Sequence, residues 1–148
     1  MVERLGARFG VDLTDPGIYE FWHEENVRFA DLDPQGHVGH VDYGHLFQNA
    51  RLAFWPGVGL AENKALTGLL VARMCIEYLG ELTYPGSIRT GTLILAIGRT
   101  SVTAGSGMFD SAGKCAAITE VVSVRYDEAT GKPVPWPEDV RARFDPTL

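Results

Sequence analysis

The sequence predicts an α+β domain in which a curved, mainly antiparallel sheet wraps around one central helix. Three observations carry this. The element order reads strand, helix, then four long strands. Only one segment has a strong helical period. One helix cannot cover a parallel sheet at every crossover, so the strands must pair antiparallel around it. The length of 148 residues fits one domain over residues 1–148, with a core at about 19–135.

The elements follow in order. The first 15 residues show no clear period and end at the turn signal Asp15-Pro16-Gly17. Tyr19 to Ala30 reads as a strand. Val41 to Trp55 reads as a helix, because Leu46, Phe47, Ala50 and Phe54 share one face. Pro56-Gly57 is the expected stop. Gly44 near the helix start costs about 1 kcal/mol, so tertiary packing must hold that turn. Leu60 to Leu66 is a candidate second helical piece. Leu69 to Leu82, Ile88 to Gly98, Ser101 to Asp110 and Cys115 to Tyr126 read as strands. Gly105 and Gly107 are read as marking curvature or a bulge. Asp110-Ser111-Ala112-Gly113 is a hairpin turn. Glu138 to Phe144 forms a terminal helical turn. Such a sheet leaves an open edge and an apolar flank, which predicts an oligomer.

Composition excludes several classes. The net charge of −6 and a pI near 5.1 argue against nucleic acid as a main partner. No apolar run reaches the roughly 18 residues of a membrane span. The N-terminal residues lack the apolar core of a secretory signal, which points to the cytoplasm. Cys75 and Cys115 sit among apolar neighbours and read as small buried thiols. No Cys/His spacing suggests a zinc site, and no metal is expected.

The most informative stretch runs Val27-Arg28-Phe29-Ala30-Asp31-Leu32-Asp33-Pro34-Gln35-Gly36-His37-Val38-Gly39-His40-Val41-Asp42-Tyr43. It places acidic side chains and two histidines between a strand and a helix. A helix N-terminus offers unpaired N–H donors and favours negative charge. A carboxylate there can attack a carbonyl or activate a water against it.

This stretch resembles the acyl-CoA thioesterases of the hot-dog fold, most closely the 4-hydroxybenzoyl-CoA thioesterase branch. The pattern is an aromatic strand end, Asp-x-Asp-x-x-Gly-x-Val, a polar pair and x-x-Tyr, with Ala50-Arg51 closing the helix. The resemblance implies hydrolysis of an acyl-CoA thioester to free acid and coenzyme A, without a cofactor. Asp33 becomes nucleophile or general base. Gly39 and the His40 backbone N–H at the helix entrance become oxyanion donors, and the His40 ring orients Asp33 or moves a proton. Gly36 shapes the turn. His37 and Tyr43 line the substrate site. Ile97-Gly98-Arg99-Thr100-Ser101 resembles a segment near the coenzyme A phosphates, so Arg99 and Ser101 are substrate-binding candidates, with Arg73 and Arg89 as alternatives. The acyl-CoA is the expected partner, held by a homodimer or homotetramer.

There are departures from the pattern. Gly39-His40 stands where many relatives carry Asn pairs, and Gly91-Thr92 replaces a frequent Gly-Asp. Gln48 stands where one branch carries a helix Glu, which leaves Asp33 as the acid. Asp31 reads as a turn residue capping local backbone, and His45 as structural or surface. The competing reading is a non-catalytic module that binds an acyl-CoA or acyl carrier. A hot-dog hydratase fits less well, because no Asp/His pair stands out beyond this turn.

Overall fold

The computed structural model describes residues 3–60 and 68–144. Its main elements are β1 (Phe21–Asn26), α1 (His40–Gly57), β2 (Leu69–Tyr78), β3 (Ser87–Ile97), β4 (Ser101–Asp110), β5 (Cys115–Arg125) and α2 (Glu138–Phe144). The strands form one five-stranded sheet in the order β1-β3-β4-β5-β2. Every pairing is antiparallel. The long helix and antiparallel sheet are the architecture the sequence predicts. The candidate helix at Leu60 to Leu66 falls largely outside the described residues.

α1 is held by its apolar face. Tyr43, Leu46, Phe47, Ala50, Phe54 and Trp55 are all buried. At one end of the sheet Tyr43, Leu46 and Phe47 pack with Val27, Val38, Leu82, Ile88 and Met108. At the other, Phe54 and Trp55 pack with Ile97, Val102, Ala104 and Trp136. The helix also runs through Pro56 to Gly57, past the expected stop. A proline in the last turn removes one N–H and does not prevent the turn from closing, since the Val58 N–H still reaches the Phe54 carbonyl at 3.2 Å.

Arg51 lies on that buried face. Only 6% of it is exposed, and its side chain makes no hydrogen bond or ion pair with the described residues. Burial pulls its guanidinium below the usual arginine range. With no partner among the described residues such a buried charge is a cost, and an apolar side chain of similar length removes it. Arg51→Met is therefore expected to hold or raise the melting temperature. A clear drop in a thermal melt would show that the guanidinium has a stabilising partner.

The opposite face of the sheet is covered by residues 3–20, an N-terminal strap. Leu13 and Tyr19 pack there with Phe109 and Ile118. Three glycines make this close approach possible. A Cβ added at Gly91 would lie 2.3 Å from Tyr19 Cγ, and one at Gly107 would lie 2.4 Å from the Leu13 carbonyl oxygen. One at Gly105 would lie 2.7 Å from Leu13 Cδ2. Gly91 and Gly107 are direct cross-strand partners. Gly105 and Gly107 thus serve a close approach that the curvature reading did not name. The β4 irregularity against β5 falls at Met108/Phe109, and the glycines clear a window for the strap.

The strap is pinned by Glu120, which is 5% exposed. Glu120 Oε1 accepts the Gly6 N–H at 2.7 Å, and Oε2 pairs with Arg8 at 2.6 Å. Both faces of β5 are consequently covered, so its alternating pattern does not divide a wet face from a dry one. Cys75 and Cys115 are free and half-buried, less enclosed than their neighbours suggest. Burial pushes the Cys115 thiol up.

Candidate active site

The chain leaves β1 at Asn26, earlier than the sequence suggests, and makes a single tight turn over Phe29–Asp31. It then forms a closed loop before α1. The Asp33 N–H donates to the His37 carbonyl at 2.8 Å, and the Gly36 N–H donates to the Asp33 carbonyl at 3.0 Å. Leu32 and Val38 pair across the loop base. Gly36 supplies the reversal with φ of 78°, a value an L side chain resists.

The Asp33 side chain is half-buried. Its Oδ1 accepts the Gln35 N–H at 2.8 Å and the His37 N–H at 3.3 Å. Oδ2 has no hydrogen bond among the described residues. The loop therefore fixes the carboxylate through one oxygen and leaves the other available.

Gly39 is the N-cap of α1, and its N–H donates to the Asp31 carbonyl at 3.0 Å, so it is not the free oxyanion donor the sequence suggests. A Cβ on Gly39 would sit 3.7 Å from Asp33 Cβ and 3.0 Å from Asp42 Oδ2. The small residue thus lets Asp33 lie against the helix entrance. His40 occupies the first helical position, where an N–H has no intrahelical acceptor. Its ring is exposed and meets Tyr78 edge-on at 6.3 Å, while the Tyr78 hydroxyl donates to the His40 carbonyl at 2.9 Å.

Tyr43 is buried, and its hydroxyl donates to the Gly80 carbonyl at 3.0 Å. Burial raises its hydroxyl pKa. Its ring packs edge-on against Tyr78 at 5.2 Å, which sets the two tyrosines side by side near the helix entrance. His37 lies at the loop edge, with Nε2 3.4 Å from Glu81 Oε2. Asp33, Gly36, His37, Gly39, His40 and Tyr43 are thereby brought into one neighbourhood.

Arg99 and Ser101 are not. They lie at the β3–β4 turn, where their carbonyls accept the Trp136 backbone and indole N–H groups. The Asp33 loop adjoins the opposite end of β3, because Asn26 pairs with Ser87. β3 has 11 residues, and a rise of about 3.3 Å per residue separates the two ends by roughly 33 Å. Arg89 stands at the near end but is held elsewhere, 3.1 Å from Glu24 and stacked 4.3 Å over Trp22.

Sequence reasoning missed one cluster. Asp31 is fully buried and is more than a capping residue. Its Oδ1 takes Arg28 at 2.7 Å and His45 Nε2 at 3.1 Å, and its Oδ2 takes the Arg28 backbone N–H at 2.8 Å. Asp42 Oδ1 stands 3.8 Å from the same His45 nitrogen. Burial pushes the Asp31 carboxyl up, but the Arg28 side-chain and backbone hydrogen bonds and the nearby cations outweigh it, and it stays below the usual carboxylate range. Asp31, Asp42 and His45 could in principle ligate a metal ion. The Arg28 guanidinium already supplies the positive charge on Asp31. The Arg28/Asp31 spacing was visible in the sequence, whereas nothing in it linked either residue to His45.

The same arrangement of loop, helix and sheet recurs in known proteins. The profile of the thioesterase-like superfamily matches residues 27–144, which takes in the Asp33 loop, α1 and β2–β5. A thioesterase from Thermus thermophilus, solved with coenzyme A and Zn, superposes with a TM-score of 0.76 at 27% identity, over 85% of this chain and 98% of that one. A thioesterase-superfamily structure from Jannaschia sp. CCS1 gives 0.80 at 24% identity, over 89% of this chain and 85% of that one. An uncharacterised Bacillus subtilis (strain 168) protein, YsmA, is 24% identical over 122 residues, 82% of each chain. Among the described residues no helix is long and apolar enough to cross a membrane.

Proposed function

Because the chain belongs to the thioesterase-like superfamily, we propose that it hydrolyses an acyl-CoA thioester to the free acid and coenzyme A, working as a homodimer. The observation that carries this reading is the Asp33 carboxylate held through Oδ1 beside the entrance of α1, with Oδ2 making no hydrogen bond among the described residues. The coenzyme A bound to the Thermus thermophilus protein supports the substrate class.

In this reading the thioester oxygen lies against the His40 N–H, which stabilises the negative charge that develops there. Asp33 Oδ2 then acts in one of two ways. It attacks the carbonyl carbon and expels the coenzyme A thiolate, leaving a mixed anhydride that water opens. Otherwise it takes a proton from a water that attacks the carbonyl, and the thiolate leaves and is protonated. Borohydride separates the two routes, because it reduces an Asp33 anhydride to homoserine and the water route never forms one.

The dimer accounts for the distance to Arg99 and Ser101. β2 is an edge strand and exposes Leu70, Val71 and Tyr78. β1, at the other edge, carries Glu24 and Glu25, charges that discourage pairing. Antiparallel pairing of two β2 strands about a twofold axis reverses the ends of the second sheet. The partner's Arg99 turn then comes to the Asp33 end, where a guanidinium can meet the coenzyme A phosphates. Val71→Lys is expected to shift the chain towards monomer in light scattering and to lower turnover with it. A monomeric variant with full turnover would separate the site from the dimer.

The test of the activity is thiol release from short, long and aromatic acyl-CoAs. Release from one class names the substrate. Binding of acyl-CoA without release would instead support a binding module, in which Asp33 only closes its loop.

A further inference from the structure

We infer that Asp31 is a positioning residue, which clamps the Asp33 loop to α1 through His45 and so sets the distance between the Asp33 carboxylate and the His40 N–H at the helix entrance. Its effect on turnover rests on the thioesterase reading, while the clamp itself is a matter of geometry alone.

Asp31 joins three points of the chain. Its side chain holds the exit of β1 through the Arg28 backbone and guanidinium. Its carbonyl holds the N-cap Gly39. Its Oδ1 holds His45, in the second turn of α1. A turn aspartate that only caps backbone can stay in water and needs a single N–H. Asp31 is 0% exposed, and a buried carboxylate is costly unless each of its oxygens is paired. Here both are.

The proton arrangement agrees. His45 Nε2 stands 3.1 Å from Asp31 Oδ1 and 3.2 Å from Arg28 Nη2. A single ring nitrogen cannot donate to one and accept from the other. The carboxylate is the stronger attraction, so the Nε2 hydrogen points to Asp31. Arg28 needs no acceptor on the ring, since it already donates to the same Oδ1.

Asp33 lies between the two clamped positions, Asp31 and Gly39. Slack at either one moves Oδ2 relative to the His40 N–H. A misplacement of about 1 Å at a reacting group costs on the order of 100-fold in rate.

The test uses the full chain with Asp31→Asn, His45→Gln and the double variant. Two readouts are taken, steady-state kcat and KM on the preferred acyl-CoA and hydrogen exchange of individual backbone amides. The expected kcat loss is about 10- to 100-fold with KM nearly unchanged. The double variant is expected to be no slower than Asp31→Asn alone, since both break one connection. Exchange is expected to rise at the Asp33 and Gly39 amides and to stay unchanged in β4. Faster exchange throughout the sheet would reduce Asp31 to a fold-stabilising residue and overturn the inference. So would an unchanged kcat in a folded variant, or a rise in KM alone. If the wild type releases no thiol from any acyl-CoA, the functional reading fails, and the exchange pattern still decides the clamp.

Discussion

Asp33→Asn is expected to slow thiol release from the preferred acyl-CoA by about 100- to 10,000-fold, the range for losing a positioned acid or base. The melting temperature is expected to stay near that of the wild type. The two properties separate because the two carboxylate oxygens do different work. Oδ1 accepts the Gln35 and His37 N–H groups and closes the loop. An asparagine oxygen can take over both bonds. Oδ2 has no structural partner among the described residues, and the amide that replaces it is neither a nucleophile nor a base. A thiol assay beside a thermal melt distinguishes the outcomes. Equal turnover by both proteins would move the chemistry to another residue. A large fall in melting temperature would mean that the loop needs the charge itself.

The second large effect concerns stability. Gly91→Ala and Gly107→Ala are each expected to cost about 1–3 kcal/mol, the usual penalty for forcing atoms into a packed core. At Gly91 the new methyl would meet the Tyr19 ring, and at Gly107 the Leu13 carbonyl and the Tyr19 hydroxyl. These groups cannot yield separately, because the Tyr19 hydroxyl donates to the Leu13 carbonyl at 2.6 Å. Either substitution must therefore lift the strap. Once it is lifted, the second methyl meets less resistance, so the double variant should lose less than the sum. Denaturant unfolding measures the loss. Faster tryptic cleavage at Arg4 and Arg8 reports the lifted strap. Native stability and native cleavage in either variant would mean that the strap is not seated on these glycines.

Much of this fold was legible because local pattern and tertiary burial agree in α1 and in the strands. Leu46, Phe47, Ala50 and Phe54 recur at helical spacing, and the helix buries those same side chains. Ser101–Asp110 reads as a strand with the ends it has in the structure. The strap was not legible, because residues 3–20 have no period of their own and are ordered by glycines some 70 or more positions away. A glycine in a strand suggests a bulge or a close approach, and sequence does not say which.

The site divides the same way. The Asp33 loop and helix entrance are contiguous in sequence, so their residues could be named together. His45 was missed because its link to Asp31 spans 14 positions across a loop and a helix start. Arg99 and Ser101 were named as coenzyme A contacts by resemblance, and a single chain holds them at the end of β3 opposite the Asp33 loop.

The strap also orders events during synthesis. Gly6 and its acceptor Glu120 are 114 positions apart. Residues 3–20 leave the ribosome before these strands and have no seat until β3, β4 and β5 have emerged and paired. The strap docks only once its partners on those strands are in place. Contacts of such long sequence separation slow folding. During that interval the strap-facing surface, with Phe109 and Ile118, stays open to neighbouring chains. The burden of preventing aggregation thus falls on how quickly residues 3–20 return to cover β4 and β5.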